Sequence, residues 1–215
     1  MNNNLTELVF ILDKSGSMCG MEKDTIGGFN SMIKRQREES GNALVSTFLF
    51  SDETVILHDR VELDKIRPMT EKKYVTDGCT ALYDAIGKAV DHIGKIHKYA
   101  REEDRPARTI FIITTDGMEN ASKFFTARQV KNLINRQKKK YGWEFLFVAE
   151  DPDFEQSAAE IGIDKERAVQ YCACTDTPAM FEEMSETLLS FRRTGRVRKN
   201  WAENISHDTK NKPKK

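Results

Sequence analysis

The sequence LVFILDKSGSM at residues 8–18 decides the fold. Its first half is an uninterrupted apolar run, which is typical of a strand buried on both faces of a sheet, and polar turn residues follow at once. Two further runs of the same kind occur downstream, TIFIIT at residues 109–114 and EFLFVA at residues 144–149. Strands buried on both faces belong to parallel sheets that helices cover on both sides. The three runs therefore predict the centre of such a sheet.

Helical periodicity separates these strands. Apolar residues recur at spacings of three and four among charged residues, and this pattern predicts helices over residues 20–39, 81–99, 126–140, 154–161 and 178–191. The last of these helices is expected to carry Pro178 in its first turn, with Thr175, Asp176 or Thr177 as its cap.

Shorter β patterns complete the sheet. Residues 43–50 and 54–57 flank a tight connection and predict a β-hairpin, which places one antiparallel strand at the sheet edge. Residues 168–171 predict a second, short edge strand, and residues 60–78 are expected to be mostly loop. Strand and helix alternate almost throughout, an order that specifies an α/β fold. We expect a doubly wound, mostly parallel sheet with one antiparallel edge strand and helices on both faces.

Composition indicates a soluble globular chain without a charge imbalance. Lys+Arg and Asp+Glu number 34 each, so net charge gives no argument for binding nucleic acid or a membrane. No run approaches the ~20 apolar residues of a bilayer span. Residues 5–192 are expected to form one domain, and residues 193–215 a basic, solvated, largely disordered tail. An arm that binds nucleic acid or an acidic partner weakly is the sharper alternative for that tail.

The expected location is the cytoplasm. The N-terminus MNNNLTELVFILD has no basic segment, and its apolar run is too short for a secretion signal. In a reducing compartment the four cysteines would be free thiols.

Oxygen-bearing side chains collect in three loops. Residues 13–18 follow the first buried strand, residues 114–120 follow the second, and residues 76–82 lead into a helix. In doubly wound sheets ligands bind beyond the carboxyl ends of the strands, so the three loops should lie at one edge. Small hard cations such as Mg²⁺ take oxygen ligands. The loops offer such a cation two carboxylates and three hydroxyls, from Asp13, Ser15, Ser17, Thr80 and Asp116.

The same loops carry a family resemblance. DKSGSM at residues 13–18 resembles the D-x-S-G-S-M signature of von Willebrand factor A domains, GCTAL at residues 78–82 resembles their G-x-T-x-L segment, and TDG at residues 115–117 resembles their T-D-G segment. The resemblance extends over about residues 5–192, in the family's order. It implies a metal-ion-dependent adhesion site (MIDAS) that binds Mg²⁺ or Mn²⁺. In that family an acidic side chain of a partner protein completes the metal shell, and the last helix moves when it arrives.

Two functions from different classes are considered. The favoured one is a bacterial, cytoplasmic, non-enzymatic adaptor that binds an Asp or Glu of a protein partner through the metal. The resemblance suggests AAA ATPases, chelatases or stress-cluster proteins as partners. The alternative is a Mg²⁺-dependent phosphohydrolase, because the acidic loop after the first strand is similar to a phosphotransfer aspartate site. Against it, Ser15 stands where such a site needs a second carboxylate, no His or Lys stands out as an acid or base, and no G-x-x-x-x-G-K phosphate loop is present.

Simpler interpretations exist for the acidic residues near these motifs. Asp13 taken alone would be a helix cap. Asp77 competes with Asp116, because TDG occurs at both places. The position of Asp116 directly after a buried strand favours it as the metal ligand, and Asp77 is expected to form a turn. Asp84 is expected to be a first-turn helix charge.

Four further residues follow the third motif. Glu119 and Asn120 border the predicted site, where shaping partner choice is the minor alternative to a structural role. Phe124 and Phe125 are expected to pack under their loop rather than to contact a partner.

Overall fold

The computed structural model describes the backbone of residues 2–206 and the side chains of residues 5–172 and 177–205. The strands of this part are β1 Asn2–Asp13, β2 Asn42–Phe50, β3 Thr54–Glu62, β4 Pro106–Thr115, β5 Glu144–Ala149 and β6 Ala168–Gln170. They form one sheet in the order β3-β2-β1-β4-β5-β6. Each neighbouring pair is parallel except β2 and β3, which are antiparallel at one edge. The predicted doubly wound, mostly parallel sheet is confirmed.

Helices cover both faces of the sheet. Their bounds are α1 Glu22–Arg37, α2 Leu82–Tyr99, α3 Ala127–Tyr141, α4 Phe154–Glu160, α5 Ala173–Thr194 and α6 Glu203–Ser206. One hydrophobic cluster joins the sheet to α1, α5 and α6, and a second joins it to α2, α3 and α4. Successive residues of a strand point to opposite faces. Accordingly, Leu8, Phe10 and Leu12 belong to the first cluster, and Val9 and Ile11 to the second. A strand that fills two cores needs an unbroken apolar run, which explains residues 8–12.

Strand β3 is longer than predicted. It continues to Glu62, into the segment that was expected to be loop. Arg60, with a φ of 49°, interrupts the regular pairing near its end, and its Nε donates to Glu7 Oε1 at 2.8 Å. Glu7 is fully buried on β1, and its second oxygen lies 2.5 Å from His97 Nε2. This buried hydrogen-bonded network ties the edge strand to the centre of the sheet.

Helix α5 also differs from the prediction. It begins at Ala173, so Pro178 lies inside the helix rather than in its first turn. Pro178 is an exposed position, while Phe181, Met184 and Leu188 are buried in the cluster that α5 shares with α1. Burial of this apolar face supplies the stability that an interior proline removes.

The packed part of the chain extends past the predicted boundary at residue 192. Val197, Trp201 and Ile205 are buried in the first cluster, and Trp201 Nε1 donates to the carbonyl of Glu166 at 2.9 Å. The segment was expected to be a disordered tail because of its many charges, but its three apolar residues carry it back onto the sheet. The remaining basic residues, 207–215, lie outside the described part. None of the described helices has both the length and the apolar character of a membrane span.

Candidate metal centre

The three loops predicted to converge do so at the carboxyl ends of β1 and β4. These strands are parallel neighbours, with Leu12 opposite Thr114. Asp13 is the last residue of β1, and Asp116 directly follows β4. Parallel pairing in this register therefore brings the two carboxylates to the same edge of the sheet.

Both oxygens of the Asp13 carboxylate accept hydrogen bonds, one from the loop after β1 and one from the end of β4. Asp13 Oδ1 accepts a hydrogen bond from the Ser15 backbone N–H at 2.7 Å, and Oδ2 accepts from Thr115 Oγ1 at 2.6 Å. The Asp13 carbonyl accepts from the Tyr74 hydroxyl. Asp13 and Ser15 are each only 1% exposed. The carboxylate is thus oriented by two segments, the loop after β1 and the end of β4, and Tyr74 fixes the backbone beside it.

A chain of hydroxyl groups leads from this loop to Asp116. Ser15 Oγ and Ser17 Oγ are 3.1 Å apart, and Ser17 Oγ donates to Asp116 Oδ1 at 2.8 Å. Alternate residues of the loop therefore point to the same side, as the D-x-S-x-S spacing predicts.

Thr80 is placed beside the other predicted ligands by close backbone contacts. Gly16 N–H donates to the Gly78 carbonyl at 3.0 Å, which joins the first loop to the Thr80 loop. A Cβ at Gly117 would lie 3.0 Å from Thr80 Oγ1 and 3.5 Å from Ser17 Oγ, so glycine keeps this space open. Gly78 has a φ of 74°, which favours glycine there. Asp77 precedes this glycine, and its N–H donates to the Lys14 carbonyl at 3.0 Å, a second backbone bond between the two loops.

The electrostatics of the site favour a cation. Burial raises the pKa of the Asp13 carboxyl, against the hydrogen bonds from Ser15 and Thr115. Burial, with the negative charge of Asp13 as a smaller cause, raises the pKa of Asp116 to about 6. Two carboxylates that resist ionisation in the bare protein would be stabilised in their charged form by a divalent cation. The donor set, two carboxylates and three hydroxyls, fits a hard cation that retains water.

The predicted ligand set depends on its hydroxyls. No group of three or more His, Cys, Asp or Glu side chains among the described residues is arranged to hold a metal. A cation here would therefore bind through Ser15, Ser17 and Thr80 as well as through the two aspartates.

Sequence reasoning missed how the loop after Asp116 is anchored. Asp84 lies in the first turn of α2, as predicted, but it is buried, and its carboxylate accepts from the backbone N–H groups of Lys123, Phe124 and Phe125 at 2.7–2.9 Å. Glu119 accepts from the N–H of Tyr83 at 2.8 Å. Apolar periodicity predicts helix faces but not carboxylates that bind a distant loop. The signal available was the density of polar residues in residues 116–126.

The two phenylalanines of this loop behave differently. Phe125 packs on α2, where a Cβ at Gly87 would lie 2.7 Å from its Cδ2. Phe124 is 71% exposed, with Lys88 Nζ 5.4 Å from its ring centre. The packing prediction therefore holds for Phe125 and is wrong for Phe124.

Comparison with known proteins identifies the fold. No protein-family model matches the sequence, and no curated protein is significantly similar to it. Among solved structures, the vWF domain of the type V pili tip protein Mfa5 from Porphyromonas gingivalis is similar with a TM-score of 0.63 and 11% identity, over 90% of this chain and 98% of that chain. The architecture is thus a von Willebrand factor A-like Rossmann fold.

Two further structures are similar. Proximal thread matrix protein 1 from the mussel byssus, solved with a zinc-occupied MIDAS motif, has a TM-score of 0.58 and 15% identity over 88% of this chain. The von Willebrand factor type A protein from Catenulispora acidiphila has a TM-score of 0.53 and 14% identity over 87% of this chain. The chain spans about half the length of the mussel protein (47%) and 43% of the bacterial one. At these identities the likeness concerns the fold.

Proposed function

We propose that this protein is a metal-dependent protein-binding module. A Mg²⁺ or Mn²⁺ ion would be held by Asp13, Ser15, Ser17, Thr80 and Asp116, and a carboxylate of a protein partner would complete its coordination. The observation that carries the proposal is the convergence of these five side chains from three separate loops at one edge of the sheet. The zinc in the MIDAS motif of the mussel protein is a parallel from a protein of the same fold.

The residues of the chain suit this role by the number and kind of their donor atoms. Two carboxylates formally balance the charge of a divalent cation, the three hydroxyls are neutral, and five donors leave at least one of the six positions that Mg²⁺ prefers open to an outside ligand. When bound, the cation would offer that position to an acidic side chain. The Thr115 hydroxyl and the Ser15 N–H fix the Asp13 carboxylate by hydrogen bonds. Binding of a cation would therefore cost little conformational entropy at this side chain.

The proposal includes a non-enzymatic role in the cytoplasm. Cys19 and Cys79 are exposed thiols without a disulfide, which suits a reducing compartment. The partner is proposed to be a protein that offers an Asp or Glu. AAA ATPases, chelatases and stress-cluster proteins, the partner classes suggested by the family resemblance, are the first to test.

Calorimetric titration of Mg²⁺ tests the metal site. The unaltered protein should bind with a measurable heat, and the double variant Asp13→Ala, Ser15→Ala should not. Asp77→Ala is a matched control, because it removes a carboxylate from the loop that carries Thr80 but none from the donor set. Equal heats in the unaltered protein and the double variant would refute the metal assignment.

A second experiment separates the binding module from the phosphohydrolase. Binding of candidate partners should require Mg²⁺, should be lost in EDTA and should be lost in the double variant. Hydrolysis of p-nitrophenyl phosphate should stay at background. Mg²⁺-dependent hydrolysis that disappears in the double variant would instead establish the enzyme.

A further inference from the structure

The loop after Asp116 makes a reciprocal contact with the proposed metal ligand Thr80. Asn120 Oδ1 accepts from the Thr80 N–H at 2.9 Å, and the Asn120 N–H donates to the Thr80 carbonyl at 3.1 Å. Both polar backbone groups of Thr80 are therefore bound by one residue. Thr80 itself is only 3% exposed, so loss of this contact would leave its N–H without a ready replacement.

The same loop also caps the helix that follows Thr80. Ala81, at the start of α2, has no side-chain cap of its own. Glu119 Oε2 accepts from the Tyr83 N–H at 2.8 Å, and Ser122 Oγ accepts from the Asp84 N–H at 3.0 Å. First-turn N–H groups need such acceptors. Thr80 and Asp116 are thus carried by two segments that are bound together at three successive points.

We infer that Asn120 is a positioning residue for the metal site: its two hydrogen bonds to the Thr80 backbone hold Thr80 Oγ1 in place relative to Asp116. This inference rests on the proposed function. Asn120 is itself exposed and adds little to the core, so its side chain serves the site more than the fold. Glu119 and Ser122, by contrast, hold the helix end without touching the Thr80 backbone. Second-layer hydrogen bonds that orient metal ligands are worth about 10–100-fold in metal affinity.

Mg²⁺ titration of three variants tests this role. Asn120→Ala should bind Mg²⁺ about tenfold more weakly than the unaltered protein. Asn120→Asp keeps an acceptor for the Thr80 N–H and should restore the affinity. Ser122→Ala is the matched control, since it removes a bond of the same loop to the start of α2 but none to Thr80, and should leave Mg²⁺ affinity unchanged. Equal losses in Asn120→Ala and Ser122→Ala, or no loss in Asn120→Ala, would overturn the inference.

A measurement on the unaltered protein covers the case in which Asn120→Ala does not fold. In an NMR titration with Mg²⁺, the Thr80 N–H and the Asn120 side-chain amide should shift with the same midpoint. An Asn120 amide that stays unchanged while Thr80 shifts would overturn the inference and leave the proposed function intact. Absence of any Mg²⁺ binding by the unaltered protein is a different outcome, which would refute the proposed function and the inference with it.

Discussion

Ser17 Oγ donates a hydrogen bond of 2.8 Å to Asp116 Oδ1, across a sequence separation of 99 residues. This bond lowers the pKa of the Asp116 carboxyl, while burial raises it. Without a cation, the Ser17 hydroxyl thus stabilises the charged form of the Asp116 carboxylate. A cation that binds both side chains would take the place of this hydrogen bond, so its own interaction with the carboxylate has to exceed what the bond contributes.

The first prediction concerns Ser17→Ala. Removing the donor should raise the pKa of Asp116 above its value of about 6, because the ionised form loses a hydrogen bond. The measurement is an NMR titration of the Asp116 side-chain carboxyl carbon in EDTA. Cys19→Ala, a substitution at an exposed position on the same loop, should leave the midpoint unchanged. A lower midpoint in Ser17→Ala would contradict the assigned bond.

The second prediction concerns the stability of Asp116→Asn without metal. The folded-state pKa of Asp116 is raised from 3.8 to about 6. Between these values the folded state binds more protons than the unfolded state, so stability falls as pH rises through this window and the full destabilisation is present at pH 7. Asparagine removes the charge, and we expect a gain of about 1–2 kcal/mol at pH 7.5, after allowance for the partial exposure of the group.

Urea unfolding in EDTA at pH 7.5 and pH 4 measures this gain. The difference between Asp116→Asn and the unaltered protein should shrink at pH 4, where the carboxyl is protonated in the folded state. Saturating Mg²⁺ should reverse the order at pH 7.5, because a ligand at 100 times its Kd stabilises the folded state by about 2.7 kcal/mol. A lower free energy of unfolding in Asp116→Asn at pH 7.5 without metal would show that the Asp116 charge does not destabilise the folded state.

The core of the site could be predicted from sequence because local patterns determine it. Asp13, Ser15 and Ser17 follow a recognisable buried strand at alternate positions, and parallel pairing of β1 with β4 brings Asp116 beside them. These relationships depend only on strand type and chain order.

The residues that hold the site together could not be predicted in the same way. Asn120 binds a backbone group 40 positions away, and Asp84 binds backbone groups 39–41 positions away. In the sequence, a polar residue that makes such a bond looks the same as one that faces water. Trp201 was predicted to lie in a disordered tail because charged residues dominate its segment. The few apolar side chains of that segment nevertheless pack in the core. Both kinds of error come from contacts fixed by tertiary structure alone.

The third prediction concerns Asp84→Ala. Its carboxylate accepts three backbone N–H groups from the loop after Asp116, and hydrogen bonds to charged groups contribute more than neutral ones. We expect a loss of about 3 kcal/mol in the free energy of unfolding, measured in urea. Asp91→Ala is the control on the same helix. Asp91 is partly exposed and pairs with the exposed Lys95 one turn away, so its loss should change stability by less than about 0.5 kcal/mol. Similar effects for the two variants would contradict the anchoring role.

The fourth prediction compares adjacent glycines of α1. A Cβ at Gly28 would lie 2.6 Å from Phe181 Cγ, whereas a Cβ at Gly27 would have no atom within 4 Å. Gly27→Ala should therefore stabilise the protein by about 0.5–1 kcal/mol through helix propensity. Gly28→Ala gains the same propensity but displaces the ring that joins α5 to α1, and overpacking of this kind costs about 1–3 kcal/mol. Thermal and urea unfolding of both variants measure the contrast. Adding Phe181→Leu to Gly28→Ala should recover part of the loss, because the shorter side chain makes room for the new methyl group. If both glycine variants gave the same stability, the close approach of α5 to α1 at this position would be refuted.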